Sequence, residues 1–255
     1  MAYTQIKLNC DLGEELSDDT IDARVMPYID MANIACGGHA GDHRSMSKTV
    51  QLALDHKVSL GAHPSYPDRQ NFGRSTLKIP CEDLLTSLNT QVSQLASVCS
   101  QQNTSLQYIK PHGALYHDCL KTERVLSCVL SLAQSFSLPL MLLRPPQQHS
   151  RLKMLTILAE DYKVPLLWEG FADRNYDDDG QLLSRTYPNA VHDDLNIILN
   201  QAKGFISDQS IDSVNGVRLK LHCQSLCVHG DSPLAFDALK SIRALLNQEG
   251  LESLN

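Results

Sequence analysis

Seven short apolar runs, separated by longer amphipathic stretches, constrain this chain more than any other feature: Ile6–Cys10, Ala32–Cys36, Val58–Ala62, Gln107–Lys110, Pro139–Leu143, Val164–Trp168 and Ser225–Val228. Runs this short and this apolar read as parallel strands covered on both faces. The stretches between them read as the crossover helices that parallel strands require: Asp42–His56, Cys81–Gln102, Leu115–Phe136, Arg151–Tyr162, Ala190–Lys203 and Pro233–Gln248. Pro80, followed by Glu82 and Asp83, marks one helix start, with acidic charge placed to suit the helix dipole. The alternation predicts an α/β fold, and the length of 255 residues suits a β/α barrel forming a single domain over 1–255. Two stretches stand outside the alternation. Asp173–Pro188 is polar and turn-rich, and Ile206–Leu221 reads as a β-excursion or a loop before the last strand.

A formal net charge of −7 gives no general attraction for phosphate backbones or anionic lipid, so neither nucleic acid nor membrane is an expected partner. The N-terminal stretch MAYTQIKLNCDLGE lacks a basic segment leading into a long apolar one, and the expected location is the cytoplasm. The eight cysteines are scattered and form no CxxC pair, which predicts reduced thiols and no structural zinc site. GxxxxGK[ST], GxGxxG and GxSxG are all absent, which disfavours P-loop, dinucleotide and serine-hydrolase chemistry.

In parallel α/β folds ligands bind beyond the carboxyl ends of the strands, so the residues after each run carry the functional argument. The first run leads into Asn9-Cys10-Asp11-Leu12-Gly13-Glu14 and the second into Cys36-Gly37-Gly38-His39-Ala40-Gly41-Asp42-His43. The third leads into His63-Pro64-Ser65-Tyr66-Pro67-Asp68 and Gly73-Arg74, and the fourth into Lys110-Pro111-His112-Gly113. The sixth ends in Glu169-Gly170-Phe171-Ala172-Asp173-Arg174 and the seventh in His229-Gly230-Asp231. Each motif alone has a structural explanation, because buried His and Asp are commonly hydrogen-bonded framework groups. Together, His39, His63, His112 and His229 with Asp11, Asp42, Asp173 and Asp231 would crowd one barrel end, at a cost unless paired or used.

Imidazole with carboxylate suits two chemistries: holding a divalent metal, for which Asp11, His39 and His63 are the candidates, or general acid–base catalysis. Lys110 and Arg74 suit an anionic ligand group or internal salt bridges to the acids, and Asp173 with Arg174 is a further candidate pair.

The motifs Asn9–Glu14, Ala32–Asp42, Gly61–Asp68, Gly73-Arg74-Ser75, Lys110–Tyr116, Phe171–Arg174 and His229–Asp231, in this order along the chain, resemble the LamB/YcsF family. The resemblance implies a seven-stranded β/α barrel of the glycoside hydrolase/deacetylase type, in agreement with the seven runs. It also implies the A subunit of an ATP-dependent 5-oxoprolinase. Such an enzyme cleaves 5-oxo-L-proline to L-glutamate with hydrolysis of ATP, which serves as co-substrate, and works in a complex with partner subunits B and C. The expected catalytic residues are then Asp11, His39, His63, Lys110 and His112. Asn9, Asp42, Arg74, Asp173, Arg174, His229 and Asp231 are expected to bind substrate or phosphate, and a divalent metal, carried by ATP or by the site, is compatible with the set. Arg144-Pro145-Pro146-Gln147-Gln148-His149 departs from the Gly-containing turn of the family, removing two backbone donors and adding a charge. Two other readings stay open. One is a metal-dependent deacetylase or amidohydrolase acting without ATP, and the other is a non-catalytic lactam sensor.

Overall fold

The computed structural model describes residues 6–15 and 21–252; part of the N-terminal stretch read for a leader, residues 1–5, lies outside them. Seven parallel strands close into a barrel in the order β1 (Lys7–Leu12), β2 (Met31–Ala35), β3 (Ser59–His63), β4 (Tyr108–Ile109), β5 (Leu140–Leu143), β6 (Leu166–Phe171) and β9 (Ser225–Cys227), with β9 pairing back onto β1. Each of the seven apolar runs has become one barrel strand. The β-excursion is an antiparallel hairpin of β7 (Ser210–Asp212) and β8 (Arg218–Lys220), set outside the barrel, so that β6 pairs directly with β9.

Side chains alternate across each strand, and here the alternation separates two interiors. Leu8, Cys10 and Leu12 of β1, Ala32 and Ile34 of β2, and Leu60 and Ala62 of β3 join the apolar layer between barrel and helices. The intervening residues face inward. A small apolar plug of Met31, Tyr108 and Met141, with Leu167 against it, fills the amino end of the barrel. Above the plug the inward positions turn polar: Asn9, Asn33 and Ser225 form a buried layer, and Asp11, His63, Lys110 and Glu169 lie above it toward the carboxyl ends. Tyr108 crosses this interior to donate to Asn33 Oδ1 at 2.7 Å. Its ring needs the space left by Gly61, where a Cβ would collide with it.

The outer layer is α1 (Ile21–Val25), α2 (His43–Asp55), α3 (Cys81–Gln101), α4 (Gly113–Lys121), α5 (Glu123–Phe136), α6 (Ser150–Asp161), α7 (Leu195–Asp208) and α8 (Ala235–Glu252). Two sequence expectations are corrected. The single helix over Leu115–Phe136 is two, because Thr122 is extended (φ −132°, ψ 114°) and ends α4 while opening α5. The helix placed at Ala190–Lys203 starts later, capped by the Asp194 carboxylate on the Asn196 N–H, because residues 190–192 pair with the polar segment instead. The packing of α3 on α5 brings Cys81 and Cys128 together, with Cα atoms 6.1 Å apart, within reach of a disulfide. The other six cysteines are free and buried. Among the described residues no helix is long and apolar enough to cross a membrane.

Candidate functional site

The carboxyl end of the barrel opens into a cavity of about 730 Å³. Its floor carries Asp11, His63 and Lys110, its walls carry Arg74, His112, Tyr116, Phe171, His229 and Asp231, and the polar segment after β6 covers one side with Arg174 and residues 181–187. Two short bridges, Arg174 to Val191 and Tyr176 to Leu182, fix that cover, and the buried Arg174 guanidinium donates to the carbonyls of Leu183 (2.6 Å) and Ala190 (3.1 Å).

Lys110 is the electrostatic centre of the floor. Its ammonium lies 2.9 Å from Asp11 Oδ1, 3.2 Å from Glu169 Oε2 and 3.3 Å from Asn9 Oδ1, with almost no exposure to water. Burial works against its charge, yet the carboxylates of Asp11 and Glu169 hold its pKa well above the usual lysine value. One cation cannot neutralise two carboxylates equally. Burial also opposes charge on Asp11, but Lys110 and then His63 hold that carboxyl well below its ordinary range, whereas burial leaves Glu169 raised. Asn33 donates to the same Asp11 oxygen at 2.7 Å, so Asp11 is fixed as an ionised acceptor whose second oxygen lies 3.4 Å from His63 Nε2.

The histidines form a tight cluster at one side. His63 donates from Nδ1 to the Lys110 carbonyl at 2.7 Å, and His112 donates from Nε2 to the Phe72 carbonyl at 3.0 Å. Their remaining nitrogens face one another at 3.0 Å. His39 stacks on His112 with centroids 3.6 Å apart, and its Nε2 is 3.1 Å from Glu14 Oε1. Burial, and then the neighbouring imidazoles, hold His39 and His112 well below the usual histidine value, while burial followed by the charge of Asp11 pushes Glu14 up to about 7. Gly113, at φ +57°, opens α4 immediately after His112; its Cα approaches Gly73 so closely that a Cβ would sit 2.6 Å from the Gly73 carbonyl oxygen.

On the opposite side Asp173 accepts from the His229 N–H at 3.0 Å and from its Nδ1 at 2.9 Å, and the imidazole stacks on Phe171. Burial opposes the charge of Asp173, but His229 holds its carboxyl at about 2. At the mouth Asp231 bridges Arg74 (2.8 Å) and Arg185 (2.9 Å).

The structure therefore brings Asp11, His63, Lys110, His112, Arg74, Arg174, His229 and Asp231 to one cavity. His39 and Asp173 stand behind its wall, and Asn9 lies deeper in the barrel, bonded to Ser225, Asn33 and Lys110. Asp42 does not belong to it. That carboxylate is exposed and caps α2, accepting from the Ser45 N–H at 2.9 Å while Ser45 Oγ accepts from the Asp42 N–H. Asp173 pairs with His229 rather than with Arg174. The cluster with metal-ligating atoms within 4.8 Å of one another is Glu14, His39, His63 and His112; Asp11, a candidate from sequence, is engaged by Lys110 and Asn33 instead. Sequence reasoning passed over Glu14, Glu169 and Asn33, each a polar residue within or just beyond an apolar run, and Arg185, which no motif marks.

A closed parallel barrel with this face is a β/α-barrel protein whose carboxyl-end cavity is lined by imidazole, carboxylate and lysine groups. The chain belongs to the LamB/YcsF family, whose sequence model matches residues 6–255. It is 42% identical to the A subunit of 5-oxoprolinase from Vibrio cholerae over 97% of this chain and all of that protein, and 41% identical to that of Pseudomonas fluorescens over 96% and 98%. The crystal structure of the lactam utilization protein from Thermus thermophilus superposes with a TM-score of 0.86 at 26% identity, covering 96% of this chain and 97% of that one. A β-1,4-mannanase shares the fold alone, with a TM-score of 0.53 at 10% identity over 95% and 98% of the two chains.

Proposed function

We propose that this chain, as one barrel domain, is the A subunit of an ATP-dependent 5-oxoprolinase, working in the cytoplasm with subunits B and C. In this reading 5-oxo-L-proline is opened to L-glutamate while ATP goes to ADP and phosphate. The near-full-length relation to proteins of that name carries the reading, and the chemistry of the cavity agrees with it.

A five-membered lactam is a resonance-stabilised amide, a poor electrophile at neutral pH. Transfer of the γ-phosphoryl group of ATP to the lactam oxygen would remove that resonance. Water then adds to the ring carbon, the carbon–nitrogen bond breaks and the nitrogen takes a proton, leaving a γ-glutamyl phosphate that a second water hydrolyses to L-glutamate and phosphate. Asp11, held ionised by Lys110, and His63, whose Nε2 carries a lone pair, suit the removal of a proton from water and its return to the ring nitrogen. Arg74 suits the substrate carboxylate and Lys110 the charge that builds on oxygen. Space supports the same reading: about 730 Å³ is the size of a site for a drug-sized ligand, well beyond a nine-heavy-atom lactam, and leaves room for nucleotide phosphates.

The test combines this chain, subunits B and C, 5-oxoproline and ATP, and measures glutamate and phosphate. Equal release of both, dependent on ATP and on all three proteins, is expected. Turnover by the chain alone without ATP would instead support a metal-assisted amidohydrolase, a reading favoured by the imidazole–carboxylate cluster. Lactam binding without turnover in the full mixture would support a sensor.

A further inference from the structure

His63 and His112 each spend one ring N–H on a backbone carbonyl, at 2.7 Å to Lys110 and 3.0 Å to Phe72. Those two bonds fix both tautomers. The remaining nitrogens, His63 Nε2 and His112 Nδ1, both present lone pairs, and they point at each other across only 3.0 Å. Glu14 Oε1 lies 3.7 Å from His112 Nδ1, and Asp11 Oδ2 lies 3.4 Å from His63 Nε2. With both imidazoles neutral and Glu14 ionised, four electron-rich atoms face one small volume. Such an arrangement asks for a cation between the atoms.

The spacing selects the kind of cation. Ligands about 2.0–2.1 Å from a tetrahedral ion stand about 3.4 Å apart, and the spacings of 3.0 and 3.7 Å bracket that value. Imidazoles whose distal N–H is anchored on a carbonyl are the usual form of metal-bound histidine. His39 does not complete the set. Its ring is parallel to that of His112 within 4° and stacked 3.6 Å above it, so no ion lies in both ring planes within bonding distance of both nitrogens. Its Nε2 instead meets Glu14 Oε1 at 3.1 Å. A mixed nitrogen and oxygen set excludes the all-oxygen preference of Mg²⁺ and Ca²⁺.

We propose that His63 Nε2, His112 Nδ1 and Glu14 Oε1 form a site for one divalent first-row transition-metal ion, with Zn²⁺ the best fit, and that His39 is a positioning residue for Glu14. The fourth coordination position opens toward the cavity, on the side of Asp11.

The test uses the full chain, stripped with a chelator and titrated with zinc chloride and separately with cobalt chloride. Calorimetry, thermal unfolding with and without zinc, and the visible absorption of bound Co²⁺ are read. Expected are one equivalent bound at micromolar Kd or tighter, a higher Tm with zinc, and the intense visible bands of four- or five-coordinate cobalt. Glu14→Gln and His112→Ala should each weaken binding at least ~100-fold, and His39→Asn by about 10-fold, the smaller effect typical of a group that only orients a ligand. Failure of the wild-type chain to bind either ion at millimolar concentration overturns the proposal, and needs no variant to fold. Binding that survives both ligand variants, or that is abolished by His39→Asn alone, overturns it as well. No substrate or partner enters the experiment, so its result is independent of the oxoprolinase reading.

Discussion

Replacing Lys110 with Met keeps an unbranched side chain only one atom shorter and removes its charge, leaving Asp11 and Glu169 facing each other inside the barrel. In the native protein the ammonium is 2.9 Å from one carboxylate and 3.2 Å from the other, with side-chain exposures of 2%, 8% and 0% for Lys110, Asp11 and Glu169. Removing one member of a buried ion pair typically costs about 3–5 kcal/mol, because the charge left behind has neither water nor a partner. For a chain of this size each kcal/mol moves Tm by roughly 2–4 °C, so Lys110→Met should lower it by on the order of 10 °C. The sign of the pH effect follows. In the variant both carboxyls are raised above their unfolded values, so the deficit is largest at neutral and higher pH. It shrinks as the pH falls toward the unfolded carboxylate values near 4. The triple variant Lys110→Met/Asp11→Asn/Glu169→Gln removes the stranded charges and should recover more than half of the loss. Differential scanning calorimetry between pH 5 and 8 measures all of this. A single variant within about 2 °C of wild type, or a triple variant no more stable than the single one, would refute charge pairing as what holds the floor together.

Three further expectations follow from the same geometry. In the metal-free chain His39, His112 and His117 are neutral when folded, the last with its value at about 4, all chiefly through burial. Unfolding takes up protons on all three below about pH 6.5 while Glu14, at about 7 when folded, gives one back. Stability present above pH 6.5 should therefore fall by roughly 2–3 kcal/mol per pH unit near pH 5.5; a flat urea midpoint from pH 7 to 5 contradicts the neutral cluster. Arg74→Ala breaks a half-exposed pair worth about 1 kcal/mol or less, so Tm should move by no more than about 3 °C. KM for 5-oxoproline should meanwhile rise at least ~10-fold, and an unchanged KM removes Arg74 from the anion site. Gly113→Ala places a methyl 2.6 Å from the Gly73 carbonyl at a left-handed φ of +57°, and should cost about 2 kcal/mol or more and displace His112; an unaltered Tm would contradict that packing.

The barrel was legible because parallel strands buried on both faces leave short, nearly continuous apolar runs. The run Ala32–Cys36 and the strand Met31–Ala35 differ by one residue at each end. The break at Thr122 was not, since Leu115–Phe136 keeps its helical period through a residue that carries no Gly or Pro signal. Strand ends led to the cavity that Asp11, His63, Lys110 and His229 line, because one barrel end collects whatever follows its strands. The same rule misplaced Asp42, which lies past a strand end but serves the next helix; the Asp42 to Ser45 spacing is that of a capping box and was readable as one. Asn33 and Glu169 escaped because one sits inside its run and the other directly after it, within the strands, where inward parity alone separates a polar interior from an apolar outer layer. Arg185 lies in a segment without periodicity, and only the folded cover brings it to Asp231.

The central claim is that the ring of residues at the carboxyl end of the barrel, with Asp11 at its centre, is where the lactam is opened. Asp11→Asn keeps the shape and the hydrogen bond from Asn33 but removes the base. Reconstituted with subunits B and C, this variant should assemble as wild type does by size-exclusion chromatography while its ATP-dependent glutamate release falls at least ~100-fold in kcat/KM. Glutamate release within a factor of about two of wild type, in a correctly assembled complex, would place the chemistry elsewhere.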